Sequence, residues 1–154
     1  GEESGALTND HREIFHSKVA KLLYVSKKGR QDIQLAITFL CTQVSCSTEK
    51  DWWLELKWVL EYLRGTLDDF LKLGADGVGI MRTWVDASYA VHEDTKSHAG
   101  GLVSFGRGDV MSKCSKQKLN TNSSAEAELV SMSDYLLYPI WAKDFLEAKG
   151  YTLE

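Results

Sequence analysis

Apolar positions recur at helical spacing through the first third of the chain. Phe15, Val19, Leu22 and Leu23 share one face from about Asp10 onward, and Lys27-Lys28-Gly29-Arg30 closes the run with Gly29 as its cap. A second helix is predicted from Asp32, a favoured N-cap residue type, with Ile33, Ala36, Ile37, Leu40 and Val44 on one side. A third begins at Ser47 or Thr48, where Asp51 stands in a capping-box relation to Thr48, and ends at Gly65. Trp53, Leu56, Leu60, Leu63 and Leu67 form its stripe, and core packing is the expected use of its tryptophans. Residues 1–10 precede these helices as a polar arm.

After Gly65 the period changes. Residues 70–73 (FLKL), 79–88 (GIMRTWVDAS), 100–105 (GGLVSF) and 109–114 (DVMSKC) read as short strands, with GADG and GRGD as turns. Successive strands with no helix between them imply an antiparallel meander. From Asn122 helical spacing returns through Ala125, Leu129, Met132 and Leu136, and Pro139 opens a further turn or helix that runs to Gly150. The expected organisation is the arm, a three-helix segment over 11–67, and a strand-rich part over 68–154.

Composition narrows this picture. With 154 residues, 44% hydrophobic and 26% charged, the chain is globular, one domain or one domain with a helical appendage. A net charge of −4 is not that of a bulk phosphate binder. Two local runs are nonetheless basic and free of acids: Lys18, Lys21, Lys27, Lys28 and Arg30, then Lys113, Lys116 and Lys118. Cys41, Cys46 and Cys114 are odd in number and lack CxxC spacing, which argues against a disulfide framework and a zinc site and fits a reduced intracellular compartment. No apolar run approaches the ~18–20 residues of a membrane span, and the N-terminus is too polar for a signal peptide. His92 and His98 read as surface residues, Cys114 as a small strand residue, and Gly100-Gly101 and Gly106-Arg107-Gly108 as turns.

Candidate chemistry rests on carboxylates. Asp86 lies inside a strand, where a charge must face solvent, be paired or bind a metal. Glu126 and Glu128 open the last helix, where acids complement the macrodipole. On a helical wheel Glu128 lies roughly 70° from the apolar stripe and Glu126 roughly 90° on the other side, so Glu128 leans toward the sheet. A strand aspartate facing a helix glutamate is half of a carboxylate cage for hard divalent cations, which can activate water for phosphodiester hydrolysis.

Four segments carry a resemblance: Trp84-Val85-Asp86-Ala87-Ser88-Tyr89-Ala90; Lys96-Ser97-His98-Ala99-Gly100-Gly101; Ser112-Lys113 with Ser115-Lys116-Gln117; and Ser123-Ser124-Ala125-Glu126-Ala127-Glu128-Leu129. In order and spacing the chain over about residues 82–148 resembles the ribonuclease H region of copia-type LTR retrotransposon polyproteins. Phe15 to Tyr24 and Val59 to Thr66 resemble the thumb/connection helices that precede it. The resemblance implies an α+β or α/β, ribonuclease H-like three-layer fold and Mg²⁺-dependent, two-metal hydrolysis of RNA in RNA–DNA hybrids. Asp86 and Glu128, with Glu126 as second choice, match the catalytic, metal-binding positions. Lys113, Lys116, Gln117, Lys118, Ser123 and Ser124 would lie near the nucleic acid, contacting phosphates. The family's third metal-binding aspartate, on a fourth strand after this helix, has no counterpart before Glu154, and Asp134 and Asp144 are poor substitutes. The expectation is therefore an incomplete fold with little activity alone. The alternatives are a non-catalytic docking subunit with a protein partner at an open sheet edge, or metal-free hybrid or RNA binding through the lysine runs.

Overall fold

A computed structural model of the chain describes residue 5 and residues 7–77 and 79–153. Residues 1–4 and 6 of the predicted arm over 1–10, and the side chain of Trp53, lie outside the described set. The chain divides into two compact units, Gly1–Phe70 and Leu71–Glu154.

The first unit is helical. α1 (Asn9–Lys28) starts at Thr8, whose hydroxyl accepts from the His11 amide at 3.4 Å, and ends at Gly29. A single 3-10 turn, Gln31–Ile33, leads into α2 (Gln34–Gln43), and a π-helical segment, Asp51–Leu56, runs into α3 (Lys57–Gly65). The core follows the predicted faces of the first two helices: Phe15, Val19, Ile37 and Leu40 are almost wholly buried.

Two expectations fail here for local reasons. Asp32 does not cap α2. Its carboxylate is gripped by the Arg30 fork at 2.8 Å, which holds it below the ordinary carboxylate range, and Arg30 also donates to the carbonyl and hydroxyl of Thr66 at 2.9 and 2.6 Å. A charge-assisted, two-pronged bond outcompetes a cap. The Thr48–Asp51 box does form, with the Thr48 amide donating to Asp51 at 2.6 Å, but the helix after it opens with a π turn. That turn takes in one more residue than an α turn and rotates the following face. Leu56 and Val59 therefore point inward, while Leu60 and Leu67 are exposed. Trp58 is 65% exposed, and Trp52 is half-buried against the rings of His11 and Phe15. Of the described tryptophans of this segment, Trp52 packs at the margin of the core and Trp58 lies outside it.

The second unit carries the strands. β1 (Gly74–Ala75) pairs with β4 (Gly106–Arg107), and β2 (Arg82–Ser88), β3 (His98–Ser104) and β5 (Met111–Lys116) form a three-stranded antiparallel sheet in that order. The meander is thus present. Residues 70–73 are not a strand; the pairing falls instead on the two glycine-containing turn sequences, where Gly106 adopts φ 150° and the Asp76 amide donates to Phe105.

α4 (Ser124–Tyr135) and α5 (Leu137–Ala148) follow. Pro139 sits in the first turn of α5, where a missing amide proton costs nothing. α4 reverses the predicted face. Ala127, Ser131 and Tyr135 are buried, whereas Leu129, Met132 and Leu136 are exposed. The reason lies in the surface beneath. Gly101 presents no side chain, and the Tyr135 ring occupies that space: a Cβ at position 101 would stand 2.6 Å from it. Gln117 donates to the Ala127 carbonyl at 2.7 Å and Ser131 to the Asp86 carbonyl at 3.0 Å. Small and hydrogen-bonding residues let α4 approach closely where leucines could not. Gly101→Ala should accordingly cost about 1–3 kcal/mol through overpacking against Tyr135. Urea unfolding followed by circular dichroism measures it, and a variant as stable as the parent would contradict this packing.

Candidate functional site

Strand register decides which face each candidate residue occupies. Val85, Gly101 and Lys113 pair directly across the sheet. Directly opposed residues share a face, and Tyr135 covers this one at Gly101. The alternate row, Asp86, Gly100 and Cys114, lies on the other face, with His98 and Lys116 one step along. Asp86 is exposed, and its Oδ1 accepts from the Ala87 amide at 2.9 Å.

Ser131 brings α4 to this strand. Its hydroxyl donates to the Asp86 carbonyl. Glu128 lies three residues before Ser131, under one helical turn or about 5 Å of axial rise, and is exposed. Glu126 has another task. Its Oε2 accepts from the Asn122 amide at 2.7 Å, while Ser123 accepts from the Glu126 amide at 3.2 Å. This near-reciprocal cap commits Glu126 to starting the helix and leaves Glu128 as the available acid.

The basic and polar candidates separate. Lys118 is exposed, as are Ser123 and Ser124 at the start of α4. Lys113 is half-buried with its ammonium 5.1 Å from the Tyr138 ring centre, and Lys116 is paired with Asp94 at 2.8 Å. Gln117 departs most from expectation. It is 2% exposed and clamps α4 through Ala127, so it supports the site from within and does not present an amide to phosphate. Asp134 lines a small cleft with Lys113, Ser115, Ser131 and Tyr135.

A cluster that the sequence reading assigned to the surface is buried. His92 is 8% and His98 4% exposed. Nε2 of His92 lies 2.9 Å from Nδ1 of His98, and Nε2 of His98 lies 3.0 Å from Sγ of Cys114. Burial and the neighbouring His92 pull the His98 imidazole down to about 4; burial and Lys116 lower His92 as well. His98 and Cys114 are 16 residues apart and become diagonal neighbours only through the β3–β5 register. No local motif announces such a pair. Among the described residues no group of three His, Cys, Asp or Glu is gathered closely enough to hold a metal ion, and no helix is long and apolar enough to cross a membrane.

Comparison with known proteins adds one line of descent. The chain is 32% identical over 137 residues to the Retrovirus-related Pol polyprotein from transposon TNT 1-94 of Nicotiana tabacum, a match covering 88% of this chain and 10% of that protein. The chain therefore spans about a tenth of the length of that relative. This similarity supports a retrotransposon Pol polyprotein origin. No family model matches, and no solved structure matches.

Proposed function

We propose that the chain is the ribonuclease H-type region of a copia-type retroelement polyprotein, with its preceding connection helices, and that it binds RNA–DNA hybrid through Mg²⁺ held by Asp86 and Glu128. The observation that carries this reading is the 3.0 Å bond from Ser131 to the Asp86 carbonyl. It pins α4 against the backbone of Asp86 with Glu128 one turn away; the Asp86 carboxylate itself lies on the face opposite Tyr135, so a shared ion would sit at the margin of β2. Both carboxylates are exposed oxygen donors, the ligand type Mg²⁺ prefers, and two of them suffice where substrate phosphates and water complete the shell. When bound, the metal would polarise the scissile phosphate and activate water. The chain's own part is placement. Ser123 and Glu126 fix the start of α4, Gln117 clamps its first turn, and Lys118 offers an exposed cation for phosphate.

The test is affinity for a fluorescent RNA–DNA hybrid with and without Mg²⁺, with cleavage of the labelled RNA followed in parallel. Mg²⁺ should tighten binding. Asp86→Asn or Glu128→Gln should each remove that increment by about tenfold or more, and Glu126→Gln should leave it in place. Binding indifferent to Mg²⁺ and to Asp86→Asn would sink the proposal.

A further inference from the structure

We propose that Lys96 and Lys116 form a phosphate-binding pair capped by Asp94, and that the backbone of an RNA–DNA hybrid binds there by displacing the Asp94 carboxylate. The inference rests on the nucleic-acid part of the reading above and needs no metal ion. Its basis is one carboxylate shared by two cations from different segments. Oδ1 of Asp94 lies 2.8 Å from the Lys116 ammonium at the end of β5, and Oδ2 lies 3.7 Å from the Lys96 ammonium in the turn before β3. The turn that carries Asp94 is itself closed, with the Thr95 amide donating to the His92 carbonyl at 2.8 Å and the His92 amide to the Lys96 carbonyl at 3.1 Å. Of the three side chains Asp94 is the most open, at 46% exposure against 32% for Lys96 and 29% for Lys116. An approaching anion therefore meets the carboxylate over the lysines.

Strand register places this pair on the same sheet face as Asp86. Lys116 stands opposite His98, and His98 opposite Ser88, two residues beyond Asp86 on β2. Two strand spacings of about 4.8 Å and two residues of about 3.4 Å separate the backbones of Lys116 and Asp86 by roughly 12 Å. That is three or four nucleotides of one strand at a rise of about 3.4 Å each. A backbone led past Asp86 would reach the lysines within the same short segment, and the exposed Lys118 extends the cationic set beyond them.

The cap is displaceable because it is an exposed ion pair, a weak contact in water, and because it leaves the cations incompletely served. Two ammonium groups face one carboxylate, so the site keeps a positive charge of one. Asp94 satisfies Lys116 at hydrogen-bond distance, whereas Lys96 at 3.7 Å is held by charge alone. A run of phosphates offers each lysine an oxygen of its own, with the same charge-assisted bonding. Asp94 thus competes with nucleic acid for Lys96 and Lys116. Its neighbour Glu93 is exposed and has the same charge, but among the described residues no ion pair reaches it, which makes it the internal reference.

Fluorescence anisotropy of a labelled RNA–DNA hybrid, recorded in EDTA at about 50 mM and about 300 mM salt, measures the competition with no metal at Asp86 or Glu128. Asp94→Asn should tighten binding about threefold or more at the lower salt, and the gain should shrink at the higher. Glu93→Gln removes an equal charge and should gain less. In a Lys96→Gln/Lys116→Gln background, adding Asp94→Asn should change nothing, since the carboxylate then has no lysine to cap. Circular dichroism checks each fold, and the comparison of Asp94→Asn with Glu93→Gln decides the matter even if the double-lysine variant does not fold. An Asp94→Asn gain no larger than that of Glu93→Gln, a gain that persists without the two lysines, or no binding by either parent or Asp94→Asn would each overturn the proposal. A missing Mg²⁺ increment alongside an intact Asp94→Asn gain counts against the metal site alone; the reverse pattern counts against the cap alone.

Discussion

Lowering the pH from 7 to 4 should destabilise the strand-containing unit by about 3 kcal/mol through His98. The fold holds this imidazole near 4 against an ordinary value of 6.5, first by burial and then by repulsion from His92. Above pH 6.5 the ring is neutral whether folded or unfolded, and nothing is lost. As the pH falls below 6.5 the unfolded chain takes up a proton that the folded chain refuses. Stability then declines until about pH 4, where the folded state protonates too. His92 is lowered as well and adds to the loss in the same direction. Asp94 is lowered by its bond to Lys116, and its contribution is lost below the ordinary carboxylate value of 3.8, outside this window. Urea midpoints measured at intervals between pH 7 and 4 give the curve. His98→Gln removes the titrating ring and should flatten it. A parent chain with equal stability at pH 7 and pH 4.5 would mean that His98 is not buried as described.

The second large effect belongs to the helical unit. Phe15→Ala should cost about 3–5 kcal/mol, the range for emptying a buried aromatic site. Phe15 has no exposed surface, and its ring centre lies 6.3 Å from that of Trp52. Removing it opens a cavity among Val19 on α1 and Ile37 and Leu40 on α2, which are themselves buried. Loss of helical circular dichroism at lower urea measures the cost, and a shift in the fluorescence of a variant keeping Trp52 as sole tryptophan reports the cavity. A midpoint unchanged from the parent would place Phe15 outside the core.

The first two helices were legible because their apolar residues repeat at the period of the helix itself. Phe15, Val19, Ile37 and Leu40 needed only that spacing to declare an inward face. The strands read at 79–88, 100–105 and 109–114 fall at 82–88, 98–104 and 111–116; the turn residues that bound them made them legible, though residues 70–73 misled because apolar character without a pairing partner does not make a strand. α4 was misread because hydrophobicity was taken as the sign of burial. The sheet beneath it offers the gap at Gly101, the carbonyl of Asp86 and the amide of Gln117, and these select Ala127, Ser131 and Tyr135 over Leu129 and Met132. In the candidate site, Asp86 and Glu128 are proposed from residue type and motif order, with Glu128 preferred over Glu126 by the helical wheel and motif position; the cap that engages Glu126 agrees with that preference.

Local sequence thus determined what is periodic or contiguous: most of the helices, the strand meander, the Thr48–Asp51 box and the carboxylates available for chemistry. Those features depend on residues within one or two turns of each other. Tertiary structure alone decided what depends on register: that Arg30 reaches Thr66, that α4 turns its small residues inward, and that His92, His98 and Cys114 meet. The physical reason is that strand pairing and close helix approach are set by shape and hydrogen-bond complementarity between segments distant in the chain. A one-residue slip would send every side chain of a strand to the opposite face, and composition is blind to that slip.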